Sequence, residues 1–67
     1  MGRQYDNALK FIYGEKRGKI RDLQEKITKE TVDKFISVGF IICGYTTTAK
    51  TWKLSLLGKE YCEDFVL

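Results

Sequence analysis

The spacing of apolar residues changes once along this chain, at Gly39. Before that point, apolar side chains recur about every three or four residues, which places them on one face of an α-helix. Beyond it, residues 40–45 are rich in β-forming types, and residues 51–55 alternate polar and apolar side chains as a half-buried strand does. The sequence therefore predicts a helical first half followed by a β-hairpin.

Three helices are expected before the change in period. The first covers residues 3–13 and is expected to end at Gly14, and residues 15–18 form a polar turn. The second covers residues 19–27. The third covers residues 29–38, with Thr28 as its N-cap and Gly39 closing it so that the next residue folds back on the last turn.

The hairpin is expected to have a mobile connector at residues 46–50, because this stretch lacks the Asn-Gly signal of a tight turn. Ser55 can then cap a last helix from residue 56 to about residue 65. Within that segment, Leu54 and Leu57 are expected to face the first helix, and Gly58 is expected to allow a close approach between backbones.

Length and composition favour a single domain, residues 1–67, and argue against an enzyme. A chain of this size buries only about 60% of the surface that its unfolded form exposes. Histidine is absent, which excludes a histidine-based triad or metal ligand, and two cysteines cannot form a four-cysteine zinc site. No glycine-rich phosphate loop is present. We expect no cofactor, no metal and no catalytic residue.

The cytoplasm is the expected compartment. No stretch approaches the ~20 apolar residues of a membrane span, and the first residues lack the apolar core of a secretory signal. Cytosolic thiols stay reduced, so Cys43 and Cys62 are expected to be small buried apolar residues. The alternative is a disulfide between them, as some hyperthermophile proteins contain.

The positive charge is uneven along the chain. The net charge is +3, and residues 1–34 hold nine basic and six acidic side chains, whereas residues 35–67 hold three of each. Such an excess favours an anionic partner, nucleic acid or a membrane surface. The alternative is a solvated basic turn that only keeps the protein soluble. No membrane partner is expected.

The order of helix, helix, helix, hairpin and helix resembles the winged helix-turn-helix family. Residues 35–41, FISVGFI, are similar to the exit from that family's recognition helix, and residues 52–61, WKLSLLGKEY, are similar to the exit from the wing in MarR- and PadR-type regulators. Small winged-helix proteins of phages and archaeal viruses carry the same signature. The resemblance implies an α+β fold with three helices, a two-stranded wing and a short C-terminal helix.

The resemblance also implies where DNA would bind: the third helix in the major groove, with the start of the second helix and the wing on phosphates. The residues that would contact DNA are Lys16, Arg17, Lys19, Arg21, Lys29, Glu30, Thr31, Lys34, Ser37, Thr47, Thr48, Lys50 and Lys53. The third helix departs from a typical reader of DNA sequence, because its exposed face has no Arg, Asn or Gln. Glu30 and Asp33 also nearly cancel the charge of its two lysines.

These observations predict a DNA-binding transcriptional regulator that acts as a homodimer on double-stranded DNA. Phe11, Phe65, Val66 and Leu67 are the expected dimer contacts. The alternative is a protein–protein interaction module, such as a viral accessory protein, which the near-neutral third helix favours. Stacking of single-stranded bases on aromatic side chains is a further alternative, which rests on Tyr5, Tyr13, Tyr45 and Trp52. Of these, Trp52 is expected in the core and Tyr45 at the surface.

Overall fold

Residues 2–67 are described by the computed structural model, and they form a mixed α+β fold. The elements are α1 (Asp6–Glu15), β1 (Arg17–Lys19), α2 (Ile20–Lys26), α3 (Lys29–Ser37), β2 (Ile41–Tyr45), β3 (Lys50–Leu54) and α4 (Leu56–Tyr61). A 3₁₀ turn, Arg3–Tyr5, precedes α1, and a π-helical turn, Cys62–Val66, follows α4. The three strands make one antiparallel sheet in the order β1-β3-β2. The predicted fold class is confirmed at the level of α+β, but the sheet has three strands and not two.

The first strand replaces the polar turn expected at residues 15–18. Arg17, Gly18 and Lys19 pair with Lys53, Trp52 and Thr51 of β3. This strand has only three residues, and its two side chains are basic and exposed. It therefore shows no alternation of polar and apolar residues from which the sequence could predict it. Its place is fixed by the free edge of β3, whose backbone groups need partners.

The first helix does not end at Gly14 as predicted, but continues to Glu15. Lys16 takes the left-handed conformation that terminates it, with φ of 70°, and its N–H donates to the Ile12 carbonyl at 2.8 Å. The Lys16 ammonium group donates to the Tyr13 carbonyl oxygen at 2.9 Å, which helps to hold this turn. Gly14 therefore lies inside the helix.

Both ends of α3 agree with the predictions. The Thr28 hydroxyl oxygen accepts a hydrogen bond from the Thr31 N–H at 3.2 Å. At the other end Gly39 has φ of 84°, and the Phe40 N–H donates to the Phe35 carbonyl at 2.8 Å. These bonds form the expected closure of the helix, and they direct the chain out of α3 into β2.

The junction between β3 and α4 is tightly packed. The Ser55 hydroxyl oxygen accepts from the Gly58 N–H at 3.0 Å, which confirms the predicted cap. A Cβ on Gly58 would collide with the Phe40 carbonyl oxygen and would lie 2.9 Å from Cδ1 of Leu54, so the predicted close approach is also confirmed. Leu57, by contrast, is 54% exposed and does not face the core, contrary to prediction.

Residues 56–66 are helical, in agreement with the last helix predicted to about residue 65, but the hydrogen bonding changes along it. The α-helical hydrogen bonding of α4 ends at Tyr61, and residues 62–66 widen into the π-helical turn. The Cys62 thiol donates to the Leu9 carbonyl oxygen at 3.6 Å, and the Tyr13 hydroxyl donates to a Glu63 carboxylate oxygen at 2.7 Å. These two bonds join the turn to α1.

The core lies between the helices and the inner face of the sheet. It is built on Leu9, Ile12, Leu23, Val32 and Phe35, each at most 1% exposed. Trp52 of β3 joins them, as predicted, and is 4% exposed.

The two cysteines have different environments. Cys62 is buried as predicted, but Cys43 is exposed, because it lies on β2, an edge strand of the sheet. Both thiols are free, so the alternative of a disulfide between them is not realised.

Candidate nucleic-acid interface

The sheet brings together basic residues that are distant in the sequence. Since the side chain of Trp52 points into the core, Thr51 and Lys53 point to the outer face of the sheet. The register then places Arg17 opposite Lys53, and Lys19 opposite Thr51, on that same outer face. The exposed face of the sheet therefore carries three cations, beside the half-exposed Ile42 of β2, which pairs with Lys53.

Arg17 and Lys53 lie especially close across the sheet. The Leu54 N–H donates to the Lys16 carbonyl at 2.6 Å, and hydrogen-bonded and non-hydrogen-bonded pairs alternate along an antiparallel ladder. The next pair, Arg17 and Lys53, is thus a non-hydrogen-bonded one, in which side chains approach most closely. Two like charges in such a pair destabilise the sheet unless an anion lies between them.

A cleft separates the β2–β3 hairpin from α2. It has a volume of about 460 Å³ and is lined by Lys19, Arg21, Gln24, Thr48 and Lys50, among others. Three of the seven lining residues are cationic, two carry neutral hydrogen-bonding groups, and Ile20 and Ala49 are apolar. The cleft is therefore suited to an anionic group with several oxygen atoms.

Hydrogen bonds of Thr46 define the turn between β2 and β3, and the predicted mobility of this connector stays a prediction. The Thr46 N–H donates to the Ala49 carbonyl at 2.8 Å, and the Thr46 hydroxyl oxygen accepts from the Ala49 N–H at 3.1 Å. Thr47 and Thr48 are exposed at the tip, where their hydroxyl groups are accessible. The predicted wing contacts thus lie on a defined turn.

The exposed face of α3 is different in character. Lys29, Glu30, Lys34 and Ser37 are exposed, as is Asp33, so the two lysines of this helix are matched by two carboxylates. The remaining predicted contact of α3, Thr31, is half-buried, and its hydroxyl is bonded to that of Thr28 at 2.9 Å. This face carries no net charge.

Lys16, one of the predicted DNA contacts, interacts with Tyr13 in the structure. Its ammonium group is bonded to the Tyr13 carbonyl and lies 4.2 Å from the centre of the Tyr13 ring. The other basic residues of the set are exposed, and the only ion pair within residues 2–67 joins Arg21 to Asp22 at 3.9 Å. The cations of the sheet are thus not neutralised by carboxylates of the described chain.

The predicted dimer contacts fall into two groups. Phe65 and Leu67 are 73% and 65% exposed, whereas Phe11 and Val66 are partly buried against the core. The π-helical turn therefore offers an apolar surface, to which Leu56 and Leu57 of α4 add 69% and 54% exposed side chains. The sequence analysis did not include these two leucines among the dimer contacts, because it expected Leu57 to face the first helix and gave Leu56 no role.

Two side chains at the contact between α1 and the π-helical turn, Tyr13 and Cys62, have raised pKa values. The hydrogen bond to Glu63, with burial and the carboxylate charge, raises the pKa of Tyr13. Burial, with a smaller contribution from Glu63, raises the pKa of the Cys62 thiol. Both shifts favour the neutral form, and neither creates a nucleophile.

Two further features bear on function. In the described part of the chain, histidine, cysteine and carboxylate side chains do not gather in threes as a metal site would require. Among residues 2–67, every helix is too short or too polar to cross a lipid bilayer.

Comparison of the chain with models of known protein families, with curated proteins and with solved structures finds no match. The assignment of function depends on the geometry and charge described above.

Proposed function

We propose that the chain is a small DNA-binding protein of the winged helix-turn-helix kind, which acts as a homodimer and regulates transcription in the cytoplasm. The observation that carries the proposal is the concentration of unpaired positive charge on a sheet beside a helix-turn-helix. The proposal includes no enzymatic activity and no cofactor.

The arrangement of elements supports the winged-helix assignment. Helices α2 and α3 are separated by residues 27 and 28 alone, and the β2–β3 hairpin follows α3 directly. In the winged helix-turn-helix family that the sequence resembles, the hairpin is the wing. The strand β1 extends this wing on the side of α2.

The charge distribution supports duplex DNA as the partner. The three strands contain Arg17, Lys19, Lys50 and Lys53 and no acidic residue. Phosphates of a duplex recur at short and regular intervals, so several cations on one firm surface can each meet one. An isolated small anion would engage only one or two of them.

A homodimer is supported by the apolar surface around Phe65 and Leu67. One domain of this size presents few cations to a duplex, and affinity for DNA grows with the number of phosphates contacted. Pairing two copies through this surface would double that number, and it would also cover side chains that a monomer leaves in water. Substituting both residues with serine should convert the dimer to a monomer in sedimentation experiments.

The proposal is tested by titrating the protein into a fluorescently labelled duplex of about 20 base pairs and measuring anisotropy. Four phosphate contacts predict a loss of affinity of about 100-fold between about 50 and 200 mM salt. Absence of binding at the lower salt concentration would contradict the proposal.

The second candidate function is a protein–protein interaction module, which one observation favours. The exposed face of α3 is neutral and includes Ile36, which is 39% exposed, and the leucines of α4 are exposed as well. Such a surface would bind a protein partner with little dependence on salt, whereas binding to DNA depends on it steeply. Salt dependence therefore discriminates between the two functions.

A further inference from the structure

We infer that the three-stranded sheet and the adjoining start of α2 supply the main contacts to duplex DNA, and that the exposed face of α3 does not. These contacts go to phosphates. The protein therefore binds DNA of any base sequence with similar affinity. The inference rests on the proposed DNA binding. On this inference the protein regulates transcription by covering DNA of any sequence, and not by recognising one operator sequence.

The distribution of charge is the first step. Four basic residues and no acidic ones lie in the strands, whereas the rest of the chain holds eight basic and nine acidic residues. The strands therefore carry a charge of +4 and the rest of the chain −1, which together give the net charge of +3. The segment from α4 onward, residues 56–67, has one basic and three acidic side chains, so it repels a polyanion.

The second step is a repulsion between like charges on the sheet: Glu15, Asp22 and Glu25 line a cavity together with Arg17 and Lys19 but form no ion pair with them. Arg17 and Lys53 are directly opposite each other on the outer face, and Lys19 follows on the same face. No carboxylate among residues 2–67 forms an ion pair with any of these three. Phosphate oxygens between and beside them would convert the repulsion into charge-assisted hydrogen bonds.

The third step extends this surface toward α2. Lys19 and Lys50 line the cleft between the wing and α2, together with Arg21. Lys19 belongs both to the outer face of the sheet and to the lining of the cleft, so the two regions adjoin there, and Lys50, two residues before Trp52, reaches the cleft from the opposite face of β3 to Lys53. We call the two adjoining regions together the sheet surface. It is defined by Arg17, Lys19, Arg21, Lys50 and Lys53.

The fourth step concerns what α3 lacks. Direct reading of bases depends mainly on Arg or Lys at guanine and on Asn or Gln at adenine. The exposed face of α3 offers two lysines, each accompanied by a carboxylate that phosphates would repel. With no net attraction and few base-reading groups, α3 adds little affinity and little discrimination.

Two double variants with the same change of charge separate the surfaces. R17Q/K53Q removes two cations from the sheet surface, and K29Q/K34Q removes two from α3. Affinity for three unrelated duplexes (AT-rich, GC-rich and mixed) is measured as a function of salt, and circular dichroism checks that each variant is folded. All four altered side chains are exposed. If R17Q/K53Q nevertheless fails to fold, K19Q/K50Q replaces it.

We expect the wild-type protein to bind the three duplexes with affinities within about threefold, because phosphate contacts carry no sequence information. In R17Q/K53Q, the slope of log affinity against log salt should fall by about 1.8, which is two phosphate contacts. In K29Q/K34Q, it should stay within about 0.5 of the wild-type slope.

A larger loss of slope in K29Q/K34Q than in R17Q/K53Q would overturn the inference, and so would a strong preference for one duplex. Those results would leave the proposed DNA binding intact. If the wild-type protein binds none of the duplexes, the proposed function itself fails, and the inference fails with it.

Discussion

Replacing Gly58 with alanine should destabilise the protein, although glycine-to-alanine changes inside helices usually stabilise. Alanine is favoured over glycine by about 1 kcal/mol in a helix interior. At Gly58, however, the added Cβ would collide with the Phe40 carbonyl oxygen and lie 2.9 Å from Leu54 Cδ1. A backbone carbonyl cannot rotate away as a flexible side chain can, and overpacking of this kind costs about 1–3 kcal/mol.

The matched control is Gly14→Ala in α1. A Cβ at Gly14 has no atom within 4 Å, so only the gain in helix propensity remains, about 0.5–1 kcal/mol. The two variants make the same chemical change and should shift stability in opposite directions.

Urea unfolding followed by the fluorescence of Trp52 measures both variants, because this residue is the one tryptophan and is 4% exposed when folded. A domain of this size has a stability of about 3–5 kcal/mol, so Gly58→Ala should lower the midpoint by a large fraction. If Gly58→Ala stabilises the protein as much as Gly14→Ala does, the close contact between α4 and the Phe40 carbonyl is wrong.

Three further predictions concern the junction, the thiols and the response to pH. Ser55→Ala should cost about 1–3 kcal/mol in urea unfolding, because it removes the cap of α4 and leaves a buried N–H unpaired. A thiol reagent should modify Cys43 quickly in the native protein and Cys62 only after unfolding; equal rates for both would contradict the buried position of Cys62. The raised pKa values of Tyr13 and Cys62 mean that the native state holds these protons more firmly than the unfolded state does, so stability should be flat below the unfolded pKa of each group and fall as the pH rises through its folded value. Tyr13→Phe should reduce that fall above about pH 10, as measured by urea midpoints at several pH values, and an unchanged fall would mean that the bond to Glu63 does not persist in solution.

Local signals were sufficient for the helices and the hairpin. Thr28 and Gly39 mark the two ends of α3. Thr28 supplies a hydroxyl acceptor and Gly39 adopts the left-handed conformation freely, and both can be identified from neighbouring residues alone. The alternation in residues 51–55 likewise placed Trp52 inside and Lys53 outside. Each of these features depends on an interaction within a few residues.

Features that depend on distant partners were missed. The strand β1 exists because residues 17–19 meet β3, more than thirty residues later in the chain. The position of Cys43 at the sheet edge and the exposure of Leu57 depend on which strand is outermost and on where α4 packs. The candidate site also depends on distant partners. Its basic residues could be identified from the sequence, but that they lie opposite each other across the sheet follows only from the pairing register of β1 and β3.

The most direct measurement of the central claim is an NMR titration of the labelled protein with a duplex of mixed sequence at about 50 and 200 mM salt. We predict that the largest shifts occur at the amides of β1, β3 and the start of α2, and that they diminish steeply at the higher salt concentration. Shifts concentrated in residues 29–37, or shifts that do not change with salt, would contradict the claim that the sheet surface binds the duplex.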